Sequence, residues 1–390
     1  MEYQSVQELF QKFPRDWPKE APYYVWGAGN SASRLCSLFH NSLNIMGFID
    51  SNAMKWGAHF MGRPVVSPDE VLCQQNSIKC IVASLAYGEI KAELERRGLQ
   101  ENIDFCSSGY FNAVHQWIDH QKVYLNRIDI SVTSYCSLRC RYCSMLMPYY
   151  KQHQHYAPDA ILADFDALFH WVDHVGQVDI LGGEPFLHPN IIEITERIAK
   201  QYRTKISNLI FFSNGTIIPD DQLLKLMKQY EIQVTIGDYR KNLPAIQSKV
   251  DTFVQKLEDY GIDYLLPVSD EWTDFNYTPE DRSNWNEKEL VEYRKLCSTQ
   301  CHVVYDKKYY FCATSFSAAQ AGLYPAEPGD YFDLSVPADP GKKEELIAFS
   351  LTCFPKGYAS HCRHCGGFSP ANQKIVPMAE QLPAGYKGKP

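Results

Sequence analysis

Ser134-Tyr135-Cys136-Ser137-Leu138-Arg139-Cys140-Arg141-Tyr142-Cys143 follows directly on the apolar stretch Ile128-Asp129-Ile130-Ser131-Val132 and sets three cysteines at C-x3-C-x2-C spacing. Each iron of a cube-shaped 4Fe-4S cluster takes one external thiolate, so three cysteines in one loop can ligate three irons and leave the fourth iron open. An open iron can chelate a cofactor. The competing readings are a structural zinc site and a set of buried reduced thiols. Zinc prefers four ligands in paired arrangements, and this loop offers three with an unpaired step.

Working outward, the chain alternates strand and helix from Arg127 onward. Strands are expected at Ile128 to Val132, Gln177 to Leu181, Leu209 to Phe212, Ile232 to Ile236 and Asp263 to Leu266. Helices are expected at Ala160 to His174, Ile191 to Tyr202, Asp221 to Tyr230 and Ala245 to Tyr260, with Pro158 and Pro189 placed where helices begin. That order fits an α/β fold built as a partial (βα) barrel, whose chemistry belongs at the C-terminal ends of its strands. The remaining motifs fall there: Gly182-Gly183-Glu184-Pro185 after the second strand, Ser213-Asn214-Gly215-Thr216 after the third and Gly237-Asp238-Tyr239 after the fourth. Asn-Gly is also an ordinary turn, and a glycine pair can serve only to bend the chain.

The cysteine spacing, the aromatic Tyr142 before the last cysteine and the glycine-rich strand end together resemble the radical S-adenosylmethionine (SAM) enzymes. The resemblance implies a (βα)6 barrel in which Cys136, Cys140 and Cys143 hold a 4Fe-4S cluster whose open iron binds the methionine amino and carboxylate groups of S-adenosylmethionine. Reduction then cleaves the sulfonium to give a 5'-deoxyadenosyl radical. By the same resemblance Tyr142 packs on the adenine, Gly182, Gly183, Glu184 and Pro185 receive the methionine ammonium, and Ser213 and Asn214 supply polar contacts. Asp238, at a strand end, is the candidate for holding a substrate hydroxyl or amine. Trp272 and Asp274, just past the fifth strand, are candidates for lining the same opening or for ordinary loop packing.

A second group of cysteines runs Cys297-x3-Cys301-x10-Cys312, then Cys362-x2-Cys365. Between Cys301 and Cys312, Val303-Val304-Tyr305 and Tyr309-Tyr310-Phe311 flank a charged turn and read as a hairpin. This resembles the SPASM or shortened twitch extension of radical SAM enzymes, which carries an auxiliary 4Fe-4S cluster. The hairpin turn departs from that pattern in lacking a glycine. Cys312, Cys362 and Cys365 are the firmest ligands, with Cys297 or Cys301 as the fourth; a zinc ribbon is the rival reading. Of thirteen cysteines, Cys36, Cys73, Cys80, Cys106 and Cys353 stand alone and read as buried hydrophobes, Cys353 also as a candidate active-site thiol.

The first part of the chain has its own signature. Tyr23 to Trp26 is an apolar run followed by Gly27-Ala28-Gly29-Asn30-Ser31-Ala32, a helical stretch to His40, and a strand Ile45 to Ile49 ending at Asp50. A G-x-G-x-x-A turn after a strand, with an acid about 20 residues on, suits a phosphate at a helix N-terminus and a ribose near the carboxylate. Further strands at Ile78 to Ala83 and Ile103 to Phe105, around a helix from Glu89 to Arg97, extend a parallel sheet. Gly47 to Asn52, Gly57, Gly62 to Val65 and Ser67 to Glu70 resemble the small nucleotide-sugar-binding domains attached to sugar acyltransferases. Gly27, Gly29 and Asp50 are then nucleotide-site candidates, and a scaffold that kept the fold without the ligand is the alternative.

Three pieces are therefore expected: a Rossmann-like domain over 1–118, a radical SAM core over 119–285 and an auxiliary-cluster domain over 286–390, with Leu382 to Pro390 mobile. At 390 residues and 45% apolar content the chain suits several globular domains, and its net charge of −8 without a basic tract argues against a nucleic-acid backbone as partner. No run of about 18 apolar residues suggests a membrane span, and a soluble, cytoplasmic protein is expected. The resemblances imply oxidation of a sugar, nucleotide-sugar or aminocyclitol alcohol, with the auxiliary cluster as electron acceptor and a flavodoxin- or ferredoxin-like donor. A radical SAM epimerase, a ribosomal-peptide maturase and a non-catalytic metal scaffold are the alternatives.

Overall fold

The computed structural model describes residues 5–72, 79–84, 86–267, 271–274, 281–297, 299, 301–353, 356–369, 372–383 and 385–386. The chain divides into two compact units, Met1–Asn126 and Arg127–Pro390.

In the first unit, strands β1 (Tyr23–Trp26), β2 (Ile45–Ile49), β3 (His59–Phe60), β4 (Arg63–Val66), β5 (Lys79–Val82) and β6 (Phe105–Ser107) form one sheet in the order β3-β4-β2-β1-β5-β6. All neighbours are parallel except the β3–β4 edge hairpin. A parallel sheet needs both faces covered, and the sequence supplies two apolar sets. Helices α1 (Val6–Asp16) and α5 (Ser108–His120) contribute Phe13 and Phe111 to a buried aromatic group with Trp17 and Tyr23, and α2 (Asn30–Leu38) buries Ala32, Leu35 and Cys36. Helices α3 (Pro68–Leu72) and α4 (Tyr87–Arg96) bring Val71, Ile90 and Leu94 against Trp26, Ile49, Val82 and Phe105 on the other set. Each such fully buried side chain is worth about 1.5–3 kcal/mol. The unit closes on β7 (Tyr124–Leu125). The alternating apolar runs foretold the central strands; α1, α5 and the β3–β4 hairpin had no comparably plain signal.

The second unit is built on β8 (Ile128–Thr133), β9 (His174–Gly182), β10 (Ile206–Ser213), β11 (Gln233–Ile236) and β12 (Tyr264–Leu265), all parallel. Helices α6 (Pro158–Trp171), α7 (Ile191–Tyr202), α8 (Asp221–Gln229) and α9 (Gln247–Asp259) connect them, so all five expected strands and all four helices are present. His174 opens β9 rather than ending α6. Asp129 and Asp179 are both buried and paired in register, and both lie within reach of Arg127, at 3.4 and 2.6 Å.

The cysteine-bearing tail joins the same sheet. Past α10 (Glu287–Lys295), β14 (Val303–Tyr305) lies parallel to β8 and turns into β15 (Lys308–Tyr310), with β16 (Tyr331–Asp333) antiparallel beyond it. The turn residues Asp306 and Lys307 both have positive φ, 51° and 54°, which a glycine adopts most easily. In place of that glycine, the buried Asp164 carboxylate of α6 accepts the Asp306 and Lys307 amide N–H groups at 3.1 and 2.6 Å. Helices α11 (Ala313–Gln320) and α12 (Pro340–Ser350) follow, and a two-stranded ribbon joins β13 (Glu271–Thr273) to β17 (Ile375–Pro377). No described helix is long and apolar enough to cross a membrane.

The expectation of a mobile end from Leu382 is corrected. Leu382 is buried against Leu146, Met147, Tyr149 and Tyr150, and its N–H donates to Arg139 O at 2.8 Å. The stretch carried a usable apolar residue, but its partner lies far back in the chain. Residues 387–390 lie outside the described residues, as does the solitary Cys73.

Candidate cysteine-rich cofactor sites

The three-cysteine loop leaves β8 at its C-terminal end and is clamped there by the glycine pair that ends β9. Gly183 N–H donates to Thr133 O and Glu184 N–H to Tyr135 O, both at 2.8 Å. A Cβ on Gly182 would lie 2.2 Å from Thr133 O, and one on Gly183 would lie 2.1 Å from Tyr135 O and 2.9 Å from Cys136 Cβ. Only glycine permits that approach. Pro185 opens a short 3-10 turn whose Phe186 packs on Phe211 and Phe253.

Glu184 is fully buried. Its carboxylate accepts the Ser213 hydroxyl at 2.9 and 3.0 Å, Asn214 N–H at 2.9 Å and Phe186 N–H at 3.3 Å. Burial raises its pKa to about 7 against those hydrogen bonds, which lower it. The residue therefore stitches the ends of β9 and β10 together as well as presenting a carboxylate near the loop.

Burial pushes the Cys136 and Cys140 thiols up to about 12 and raises Cys143 as well. Such thiols ionise only with a cation or metal to replace the proton. Side-chain amides reach two of the sulfurs: Asn214 Nδ2 lies 3.5 Å from Cys136 Sγ and Gln381 Nε2 lies 3.3 Å from Cys140 Sγ. Asn214 also donates to Ser137 Oγ at 3.0 Å, and Ser137 Oγ lies 2.5 Å from Thr216 Oγ1. Tyr142 is half-buried, with the Arg141 guanidinium 5.9 Å from its ring centre.

Past β11, Asp238 is held by its neighbour. Arg240 Nε and Nη2 grip its two carboxylate oxygens at 2.8 and 2.7 Å, and this ion pair holds the carboxyl below its ordinary range despite partial burial. Tyr239, quoted from sequence only within the Gly237-Asp238-Tyr239 motif, is half-buried beside the cysteine loop: burial first, then Cys140, Cys143, Cys136 and Glu184, raise its pKa. Its ring meets Trp272 edge-on at 5.6 Å. Asp274 is buried, its N–H donating to Lys374 O at 2.7 Å and its carbonyl accepting from Asn372 Nδ2 at 2.9 Å.

The second site is a pocket lined by Cys297, Cys312, Cys362 and Cys365 together with Arg294 and His361. Cys301 is not among its lining residues. Burial raises the Cys301 thiol to about 12, and its next influences are Asp129, Arg127 and Asp179, which place it toward that ionic group. Cys297 goes the other way: burial alone would raise its pKa, but Arg294, the Thr299 hydroxyl and backbone amides bring it below its ordinary value. Phe368 N–H lies 3.3 Å from Cys297 Sγ and Gly367 N–H 3.3 Å from Cys365 Sγ. Arg294 donates to Cys297 O at 2.6 Å and Thr299 O at 2.7 Å and forms no ion pair with a carboxylate among the described residues.

Among the described residues, no three His, Cys, Asp or Glu groups converge as they would on a single metal ion. A four-iron cube takes its thiolates on separate irons, around a volume rather than a point. Four cysteines around a cavity fit that group, and so do three on a glycine-clamped loop beside an open strand end. Cys353 belongs to neither site; its Sγ lies 3.5 Å from Leu351 O.

In the first unit the candidates Gly27, Gly29 and Asp50 lie at one turn. Asp50 accepts Ala28 N–H at 3.0 Å, Asn52 N–H at 2.9 Å and Lys55 Nζ at 2.8 Å, and Lys55 also donates to Ala28 O at 3.0 Å. Burial opposes its ionisation, and the Lys55 contact with the two amides outweighs it, so its pKa is lowered. Asp50 braces the glycine turn from within. Gly27 sits at φ 115°, where a Cβ would lie 2.5 Å from Ala83 O, while a Cβ on Gly29 would meet nothing within 4 Å.

Residues 130–237 match the model of the radical SAM superfamily, and residues 23–103 match a model described as C2185-like, N-terminal. Curated relatives include GTP 3',8-cyclases of Campylobacter jejuni, 28% identical over 134 residues, which is 32% of this chain. The chain spans 40% of the length of those relatives. Solved structures that resemble it include BtrN in complex with AdoMet and 2-DOIA, at 15% identity and TM-score 0.32 over 58% of this chain and 82% of that one. Native anSMEcpe with bound AdoMet gives 20% identity and TM-score 0.30 over 36% and 43%. Streptococcus suis SuiB bound to its precursor peptide SuiA gives 16% identity and TM-score 0.29 over 46% and 44%.

Proposed function

We propose, from the premise that this chain carries a radical SAM domain at residues 130–237, that it is an oxidoreductase acting on an alcohol carbon of a sugar, nucleotide sugar or aminocyclitol. When bound, S-adenosylmethionine and a reduced three-cysteine 4Fe-4S cluster supply a 5'-deoxyadenosyl radical that removes a carbinol hydrogen, and loss of one proton and one electron then leaves a carbonyl. Cys136, Cys140 and Cys143 hold that cluster. The Gly182-Gly183 strand end keeps backbone polar groups within reach of the methionine portion, and Glu184, braced by Ser213 and Asn214, presents its carboxylate toward the ammonium. A cation there lowers the carboxyl's raised pKa and keeps it ionised. Tyr142 forms the adenine face.

Tyr239 and Trp272 form an apolar wall beside the cysteine loop. Asp238, locked by Arg240, stays charged and serves to orient rather than to take up a proton.

The observation that carries oxidation is the complete four-cysteine lining of the second cavity, with Arg294 against it. A cluster with all four irons bound to protein has no position for a ligand and suits electron acceptance. A guanidinium buried without a carboxylate is costly, by several kcal/mol, and four thiolates on a cluster offset that cost. Cys297 is the fourth ligand in this assignment.

The test is anaerobic reconstitution with iron and sulfide, then reaction with S-adenosylmethionine and a strong reductant or a flavodoxin- or ferredoxin-like donor. Two clusters give about eight irons per chain. Across a panel of sugars, nucleotide sugars and aminocyclitols, the expected result is one carbonyl per 5'-deoxyadenosine. No 5'-deoxyadenosine from protein with its iron intact rules out the proposal; an inverted stereocentre without net oxidation replaces it with epimerisation.

A further inference from the structure

The far C-terminal segment lies directly on the three-cysteine loop. Arg141 N–H donates to Glu380 O at 2.7 Å and Leu382 N–H to Arg139 O at 2.8 Å, so the two stretches pair antiparallel, with a bridge between Cys140 and Gln381. The Arg141 guanidinium meets the Glu380 carboxylate at 2.8 Å, and Asn242 Nδ2 donates to Met378 O at 3.1 Å. Within this clamp the Gln381 side-chain amide has a determined orientation. Its oxygen accepts Arg139 N–H at 2.8 Å, so its nitrogen must face the other way, where it reaches Ala379 O at 2.7 Å and Cys140 Sγ at 3.3 Å. That donor comes from 241 positions away in the chain.

Taking the three-cysteine cluster of the proposed function as given, we propose that Gln381 is a positioning residue of the cofactor site, whose N–H to the Cys140 sulfur raises the electron affinity of the cluster. Added electron density on a cluster resides partly on its thiolate sulfurs, and a hydrogen bond to sulfur stabilises the reduced form more than the oxidised one. The clamp of Glu380 and Leu382 on Arg141 and Arg139 holds the amide in place.

Two variants test this in the full-length, reconstituted protein. Gln381→Leu removes the donor; Gln381→Glu keeps the length and the acceptor for Arg139 N–H but offers no N–H to sulfur when ionised. Iron and sulfide are counted first, then the midpoint potential is followed by electron paramagnetic resonance on the signal that changes when S-adenosylmethionine is added. Expected is a more negative midpoint in both, by about a tenfold change in the reduced-to-oxidised ratio, which is about 59 mV for one electron. Loss of iron from both variants with unchanged circular dichroism overturns the electronic role and leaves Gln381 only a structural brace of the loop. Either variant retaining its iron with the wild-type midpoint overturns the proposal while leaving the cluster assignment standing. Wild-type protein that assembles no SAM-responsive cluster removes the assignment itself.

Discussion

Gly183→Ala places one methyl group where the end of β9 meets the cysteine loop. The new Cβ would stand 2.1 Å from Tyr135 O, against an ordinary contact of 3.4 Å, so one backbone must retreat by 3.4 − 2.1 = 1.3 Å. No flexible side chain can absorb this, because Tyr135 O and C are the nearest atoms and Cys136 Cβ follows. The retreat breaks or stretches the two hydrogen bonds from Gly183 and Glu184 to the β8 end. Overpacking costs about 1–3 kcal/mol and each lost hydrogen bond about 1 kcal/mol, so a destabilisation of about 3 kcal/mol is expected. Anaerobic urea unfolding of the cofactor-free protein measures it. Gly29→Ala is the control, since nothing lies within 4 Å of that Cβ. Because the moved atoms carry Cys136, the variant is also expected to lose the response of its cluster to S-adenosylmethionine. A Gly183→Ala protein as stable as wild type, with a SAM-responsive cluster, refutes the close-approach argument.

Cys297→Ala is expected to cut the iron content from about eight to about four per chain, whereas Cys301→Ala leaves about eight; equal losses in both, measured by iron and sulfide analysis, would reject the choice of Cys297 as ligand. In the cofactor-free protein, burial lifts the Glu184 pKa from its ordinary 4.5 to about 7. A raised folded pKa favours the protonated form, so the stability it contributes is complete below about pH 4.5 and lost as pH rises through about 7, about 3 kcal/mol in all. The difference in unfolding free energy between wild type and Glu184→Gln should therefore drift by about that amount from pH 4.5 to pH 8; a constant difference shows that the carboxyl titrates normally.

What was legible in the sequence depended on how local each cause is. The five parallel strands and four helices of the second unit each bury a continuous apolar run or stripe, so period and punctuation located them within a few residues. The hairpin before Cys312 was legible for the same reason, but its missing glycine was not explained until Asp164 was found holding the turn amides from about 140 positions back. The glycine pair at 182 and 183 was legible as a motif, while its cause, the carbonyls of Thr133 and Tyr135, is a contact between strands. Asp50 and Asp238 share a feature that the sequence did not show. An acid at a strand end looks available in sequence, and only the fold shows Lys55 and Arg240 already upon them. Gln381, Arg294 and Tyr239 had no local signal, since each acquires its meaning from a cysteine or a ring brought to it by the fold.

The last part of the chain connects features that the motifs present separately. Phe368 N–H reaches Cys297 Sγ, Asn372 Nδ2 bridges Gly367 O and Asp274 O, and β17 pairs Val376 with Trp272, whose ring meets Tyr239. Gln381 then reaches Cys140 Sγ. Among the described residues 368–369 and 372–381 the chain thus touches a sulfur of each cysteine group and supports the wall between those contacts in sequence. In the proposed oxidation, hydrogen abstraction loses its near-attack geometry by shifts of about 1 Å, and electron transfer to the second centre depends on a kept separation. Two sites on independent loops would each add their own motion to that separation. Attachment to one segment, itself paired to β13 and to the cysteine loop, removes much of that freedom, and it gives a physical reason for the cysteine-rich tail to return to the loop at Cys140 instead of ending at Cys365.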